Sequence, residues 1–271
     1  MYSSNKNKVA IVVPMYKSID KLSLDEQVSM RHLKKYLNHY DKYFISPKGL
    51  ELNYGDFKIK YFGKKYFRGV INYSELMLRE EFYQAFSEYD YILIYQTDVV
   101  VFSDQLEEWC DRGYDYIGAP WFKDTLGSGY EYPDACGNGG FSLRKVDSAI
   151  RAIKLIKKPW KHTFFRLLVC FGNKIFRHKP LVYFLIKTWT ESAAHRTQML
   201  EDRYWSFEVP KYDINFKIPT ALEGLKFSFE VGPEYCFKRN NSQLPFGCHA
   251  WSKYDRKFWE PYLLKDDYKH F

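Results

Sequence analysis

No run of about 20 apolar residues occurs in the 271-residue chain, so no stretch of it has the length to cross a bilayer as a helix. Cysteine is scarce and unpaired. The five, Cys110, Cys136, Cys170, Cys236 and Cys248, are odd in number, widely spaced and without a C-x-x-C pair, which argues against a disulfide framework and a zinc knuckle and makes a reducing cytoplasm the simplest setting. No glycine-rich stretch is followed by G-K-[ST], and no G-x-G-x-x-G follows the first strand-like run. Both a phosphate-binding P-loop and a dinucleotide fingerprint are therefore excluded. The apolar run at 9–13 follows the N-terminus directly, is too short for a signal-peptide core and has no small-residue cleavage site, so export is not expected. Internal repeats and low-complexity linkers are also missing. With 46% hydrophobic and 20% aromatic residues, the expectation is one domain over 1–271 with a sizeable core.

Acid is missing from one long segment. Residues 151–187 hold ten lysines and arginines and no aspartate or glutamate, and the net charge of +8 resides there, the rest being slightly acidic. The same segment carries Trp160, Phe164, Phe165, Phe171, Phe176 and Phe184. Two readings stay open: a basic helical insertion at 151–195 packed on the core with solvated lysines, or a surface lying on anionic membrane or against a lipid-linked substrate. Nucleic acid is not an expected partner, because no recognition motif accompanies the charge.

The remaining pattern is that of alternating strands and helices. Strands are expected at 8–13, 43–46, 57–62, 91–95 and 114–119. Helices are expected at 24–40, with Leu24, Val28, Leu33 and Leu37 near helical spacing, from Asn72 or Ser74 to about 88, and at 104–110. A loop is expected at 120–137. This order implies an α/β fold with a Rossmann-like layer.

Asp98 ends the apolar run Tyr91-Ile-Leu-Ile-Tyr-Gln-Thr-Asp98 and is followed by another. A buried acid must be paired, hydrogen-bonded or bound to a metal, and ligands gather at the carboxyl ends of strands in open α/β sheets. Asp98 therefore caps a turn, pairs with a core arginine, or takes a cation. Gly139-Gly140 either forms a plain turn or, with φ > 0, admits a close ligand. Glu201-Asp202 reads as a pair of acids at a helix N-terminus, with Arg203 able to neutralise one locally. His249, after the turn Pro245-Phe246-Gly247, is either an aromatic-patch histidine or a ligand. Arg68 precedes the second main helix, where a guanidinium is either a surface charge or a fork for a diphosphate.

Taken together and in order, Gln96-Thr-Asp98, Gly137-Asn-Gly-Gly-Phe-Ser-Leu-Arg144, Glu201-Asp-Arg-Tyr-Trp205 and Pro245-Phe-Gly-Cys-His-Ala-Trp251 resemble the GT-A fold glycosyltransferases. More closely, they resemble a bacterial family long labelled only as a domain of unknown function and found among polysaccharide-biosynthesis genes. The resemblance runs from about Val9 to Trp251. It implies a GT-A mixed sheet flanked by helices, and transfer of a sugar from a nucleotide-sugar donor to a hydroxyl of a glycan or lipid-linked glycan. Asp98 matches the last acid of the D-x-D motif, which binds Mn2+ or Mg2+ bridging the donor diphosphate. Gln96 replaces the first acid, which makes a metal-independent variant conceivable. By the same resemblance His249 completes the metal site, Asp202 is the base of an inverting reaction, and Glu201 binds donor or acceptor hydroxyls. Pro14 and Tyr16 contact the nucleobase and ribose, and Gly139 and Gly140 face the donor sugar. The rival readings are a sugar nucleotidyltransferase, disfavoured because Val12-Val-Pro-Met-Tyr16 has no glycine, and a glycan-binding or membrane-surface protein on a degenerate GT-A scaffold. The implied setting is cytoplasmic, at the inner membrane face.

Overall fold

The structure, a computed structural model, describes residues 8–122, 135–157 and 200–265. A six-stranded sheet runs in the order β3-β2-β1-β4-β9-β6. Its strands are β1 (Val9–Pro14), β2 (Asp41–Pro47), β3 (Lys58–Phe62), β4 (Tyr91–Tyr95), β6 (Tyr116–Gly118) and β9 (Phe141–Lys145). β1 to β4 pair in parallel, and β9 runs antiparallel between β4 and β6. The mixed α/β sheet expected from the sequence is present.

β1 and β4 are buried along their whole length, as central strands covered on both faces must be. Alternate residues serve opposite faces. Val9, Ile11, Val13, Tyr91, Leu93 and Tyr95 pack beneath α1 (Leu24–Leu37), whereas Ala10, Val12, Ile92 and Ile94 pack beneath α2 (Val70–Met77), α3 (Glu80–Gln84) and α5 (Val146–Lys157). A smaller sheet of β10 (Ser228–Phe229), β11 (Gly247–Cys248) and β5 (Val100–Val101) has its own core with Val28, Trp251 and Trp259.

Several local expectations need correction. The single helix from Asn72 or Ser74 to about 88 is two helices, because Gly69 caps α2 earlier and the chain breaks at Leu78-Arg79 before α3. Leu24 is 49% exposed, because Ser23 and Glu26 close a capping box there and turn the first residue outward. The loop at 120–137 contains the paired strands β7 (Pro120–Trp121) and β8 (Ala135–Cys136). His32 is a satisfied core histidine, bonded to the carbonyl of Val101 at 2.8 Å and to the amide of Leu264 at 3.2 Å. The basic insertion at 151–195 falls mainly outside the described residues. Among the described residues no helix is long and apolar enough to cross a membrane, and Cys110, Cys136, Cys236 and Cys248 are free and buried.

Candidate active site

Between β1 and β4 the strand order reverses direction, and the carboxyl ends of these neighbours open a crevice of the kind in which α/β sheets bind ligands. A cleft of about 740 Å³ lies there. Every site residue expected from the sequence lines it: Pro14, Tyr16, Arg68, Gln96, Asp98, Gly139, Gly140, Glu201, Asp202 and His249. Gln96 and Gly140, distant in sequence, meet, the Gln96 amide donating to the Gly140 carbonyl at 3.0 Å, because β9 runs antiparallel to β4. Its start, Phe141, therefore lies beside Tyr95 and carries Gly139-Gly140 to the same edge.

The small sheet delivers the histidine. Cys248 of β11 pairs with Val100 of β5, and Phe229 of β10 with Cys248. His249 and Glu230, the next residues outward, and Asp98, two residues before Val100, are therefore brought together. His249 Nε2 lies 3.2 Å from Gln96 Oε1 and 3.4 Å from Asp98 Oδ1, and its Nδ1 lies 3.0 Å from Glu230 Oε1. Burial opposes charge on this imidazole, but the Asp98 and Glu230 carboxylates outweigh it and push the pKa up to about 10. Burial likewise works against the charge of Asp98, and the His249 beside it holds the carboxyl below its usual range.

Whether these residues suit a divalent cation can be tested on the donor set. Among the described residues no group of three His, Cys, Asp or Glu could hold a metal. The convergent atoms are instead one carboxylate oxygen, one amide oxygen and one imidazole nitrogen. Asp98 Oδ1 is buried with no hydrogen bond of good geometry, the His249 imidazole lying 3.4 Å away. Such a set fits Mn2+ or Mg2+ when phosphate oxygens of a ligand and water supply the rest. Glu230 would fix the imidazole from behind, as outer carboxylates do for metal-bound histidines. A cation held by this imidazole would have to displace its proton, so its affinity would rise with pH.

Neither Gly139 nor Gly140 has a positive φ, so of the two readings the one that needs that backbone conformation does not hold. Their bareness serves side-chain packing: a Cβ on Gly140 would lie 2.1 Å from His249 Nε2, and one on Gly139 would lie 2.1 Å from Glu201 Oε1. The two glycines therefore let the histidine and the acid into the cleft.

Glu201 and Asp202 occupy a short helix, Glu201–Arg203, continued by a π-turn over Tyr204–Glu208. Trp205 anchors that turn against Tyr83 and Tyr116, with ring centroids at 5.8 and 6.2 Å. The buried partner of Glu201 is Arg144, at 2.9 Å from Oε1, rather than the adjacent Arg203. Arg144 is itself buried and also donates to Ser142, Tyr83 and the Gly139 carbonyl. Asp202 takes no such partner. Its Oδ1 accepts from the amide of Arg203 at 2.7 Å, yet burial first, and then the neighbouring Glu201 charge, push the carboxyl up to about 7. A carboxyl poised near neutrality is suited to accept a proton.

Sequence reasoning missed Glu230, Lys253, Tyr73 and Glu26, all of which line the cleft. Glu230 had a readable signal, since it follows the apolar Phe227-Ser-Phe229 just as Asp98 follows β4. The others had none. A second, shallower cleft of about 520 Å³ borders Tyr235, Lys238 and Tyr254, shares Lys253 with the first, and contains none of the expected residues.

No curated protein matches the chain. Among solved structures, the apo glycosyltransferase GlyE of Streptococcus pneumoniae is 15% identical with a TM-score of 0.44, over 97% of this chain and 61% of that one. The chain thus spans less than two thirds of that protein. A galactosyltransferase, LgtC, in complex with donor and acceptor sugar analogs is 15% identical with a TM-score of 0.47, over 89% of this chain and 86% of that one. Apo mouse xyloside xylosyltransferase 1 is 10% identical with a TM-score of 0.46, over 89% and 97%. Residues 56–249, most of the cleft's residues among them, match the model of a family described as protein of unknown function (DUF5672), and the chain belongs to that family.

Proposed function

We propose that this protein is a glycosyltransferase that moves a sugar from a nucleotide-sugar donor to a hydroxyl of a glycan or lipid-linked glycan. The observation that carries the reading is the convergence of Asp98, Gln96 and His249 at the β1–β4 crevice, in one cleft with Asp202 poised near pH 7.

Asp98, Gln96 and His249 would hold a divalent cation, which when bound would bridge the donor diphosphate and neutralise charge on the departing group. Tyr16, 60% exposed at the end of β1, offers a ring face to the base, and Arg68 and Lys253 supply cations along the cleft. Asp202 takes the proton of the acceptor hydroxyl. The oxygen attacks the anomeric carbon from the side opposite the leaving diphosphate, which departs with the electron pair of the broken C–O bond. Direct attack of this kind inverts the anomeric centre.

Calorimetric titration with nucleoside diphosphates, with MnCl2 or EDTA, tests the cation assignment. Affinity is expected to rise with the metal in wild type and to lose that dependence in Asp98→Ala; equal affinity in every case removes the metal role and shifts diphosphate binding to Arg68 and Lys253. Release of monosaccharide from the donor separates a catalyst from a glycan-binding scaffold.

The ten basic residues and many aromatics in the sequence at 151–187 support membrane or lipid-diphosphate contact, and with it a role at the cytoplasmic face in bacterial surface-polysaccharide synthesis. Each basic residue near an anionic surface contributes about 1 kcal/mol. Sedimentation with anionic liposomes at low salt, reduced by exchanging Lys157, Lys158 and Lys161 for Glu, is the expected result; wild type left in the supernatant overturns it.

A further inference from the structure

Three buried polar atoms on this cleft lack a hydrogen bond of good geometry: Asp98 Oδ1, which has the His249 imidazole at 3.4 Å, Glu201 Oε2, and the hydroxyl of Tyr73, which has the Gln96 side chain near it. Leaving such groups unpaired is costly, and one cleft holding three of them is built for something polar. The first faces the position a cation would take. The other two answer to a different chemistry.

We infer that Tyr73 is a specificity-determining residue, its hydroxyl and Glu201 Oε2 together gripping one ring hydroxyl of the transferred sugar. The inference rests on the glycosyltransferase reading and adds to it the residue that selects the sugar. Glu201 is only 4% exposed and cannot turn its free oxygen elsewhere, since Oε1 is held by Arg144 and packed against the bare α-carbon of Gly139. A carboxylate oxygen only accepts. The Tyr73 phenol keeps its proton, because burial raises its pKa by more than the Arg144 charge and the Gln96 side chain on the phenol oxygen lower it, and the Glu201 charge adds to the rise. A phenol offers a donor. One group satisfies both at once: an alcohol, which donates to Glu201 and accepts from Tyr73. A phosphate oxygen cannot donate, and an apolar group can do neither. Of the alcohols that this reading brings to the cleft, the ribose belongs with Tyr16 at the end of β1 and the acceptor hydroxyl with Asp202, which leaves those of the transferred sugar for Tyr73 and Glu201. Tyr73 is set by local structure, its amide bonded at 2.9 Å to the carbonyl of Gly69, which begins α2.

The test uses the whole protein with MnCl2 and four probes: UDP-glucose, UDP-galactose, UDP-N-acetylglucosamine and GDP-mannose. The donor hydrolysed fastest is then compared with its 2-, 3-, 4- and 6-deoxy analogues. Sites built to hydrogen-bond a hydroxyl reject the analogue lacking it strongly, so wild type is expected to lose kcat/KM by roughly 10²-fold or more at one position. Tyr73→Phe should shrink the discrimination at that position to within about threefold, with nucleoside-diphosphate affinity unchanged. Its melting temperature should stay level or rise, because an unpaired buried hydroxyl has been removed. Unaltered discrimination at all four positions overturns the assignment, and so does a drop in melting temperature of the kind a structural hydroxyl bond would produce. If wild type binds a sugar nucleotide more tightly than its nucleoside diphosphate without hydrolysing it, the same comparison is read in affinity. A wild type that favours none of the four over the free diphosphate overturns the functional reading and this inference together, whereas unchanged selectivity in an active Tyr73→Phe overturns the inference alone.

Discussion

Asp202 keeps a carboxyl near neutrality in a place where the chain gains nothing from it when folded and unliganded. Because its pKa is pushed up to about 7 by burial and by Glu201, the folded state retains a proton that the unfolded chain gives up in the ordinary carboxylate range. Its contribution to stability is then highest below that range and falls as pH rises towards 7. Asp202→Asn should melt above wild type at pH 8 in EDTA, by roughly 4–8 °C if about 2 kcal/mol is recovered, with the difference fading towards pH 4. The same substitution should keep donor affinity and lower turnover by about 10²-fold, removing the rise in rate through pH 7. A mutant that melts lower at pH 8, or turns over normally, removes the base role and passes it to Glu201. Gly140 makes a second residue-scale prediction. Since a Cβ there would sit 2.1 Å from His249 Nε2, Gly140→Ala should displace the imidazole and weaken cation affinity by roughly tenfold or more; calorimetric titration with MnCl2 reads it.

At the scale of elements, α1 does more than cover the sheet. Its capping-box acid, Glu26, accepts from the Ser23 amide at 2.8 Å, from Lys17 Nζ at 2.6 Å and from Thr97 Oγ1 at 2.9 Å. One carboxylate thereby joins the helix start, the loop carrying Tyr16 and the turn carrying Gln96 and Asp98. Ser23→Ala loses a cap, worth about 1 kcal/mol. Glu26→Ala keeps the bond from its own amide to Ser23 Oγ but loses the three its carboxylate accepts, from the Ser23 amide, Lys17 and Thr97, so urea unfolding should show about 2–3 kcal/mol. Equal losses in the two variants would mean that Glu26 does no more than cap the helix. The elements themselves were largely readable, because β1, β2, β4 and α1 have the apolar spacing of their type over their whole length. The break between α2 and α3 was not. Apolar spacing continues through Leu76, Leu78 and Phe82, and it takes Gly69 as cap and the packing of both helices on the sheet to set the ends.

For the molecule as a whole, the cleft joins the large sheet, the small sheet and the 201–212 segment, and a ligand there binds only the native arrangement. Nucleoside diphosphate with MnCl2 at about a hundred times its dissociation constant should add about 2.7 kcal/mol, read as a rise in melting temperature that EDTA reverses. No shift with any nucleoside diphosphate would count against the cleft as a nucleotide site.

The sequence by itself determined the α/β class and the acid at the end of β4, because strand burial and the cost of a buried charge act locally and leave their mark in consecutive residues. It also assembled the ten expected cleft residues, through motifs read in order. Tertiary structure alone decided how they work. That Glu201 is held by Arg144, that Glu230 stands behind His249, and that Gly139 and Gly140 make room for side chains instead of turning the chain all depend on the antiparallel return of β9 beside β4 and on the register of β5 with β11. Such pairings join residues 19 to 153 positions apart, and no local pattern encodes which distant partner satisfies a buried charge.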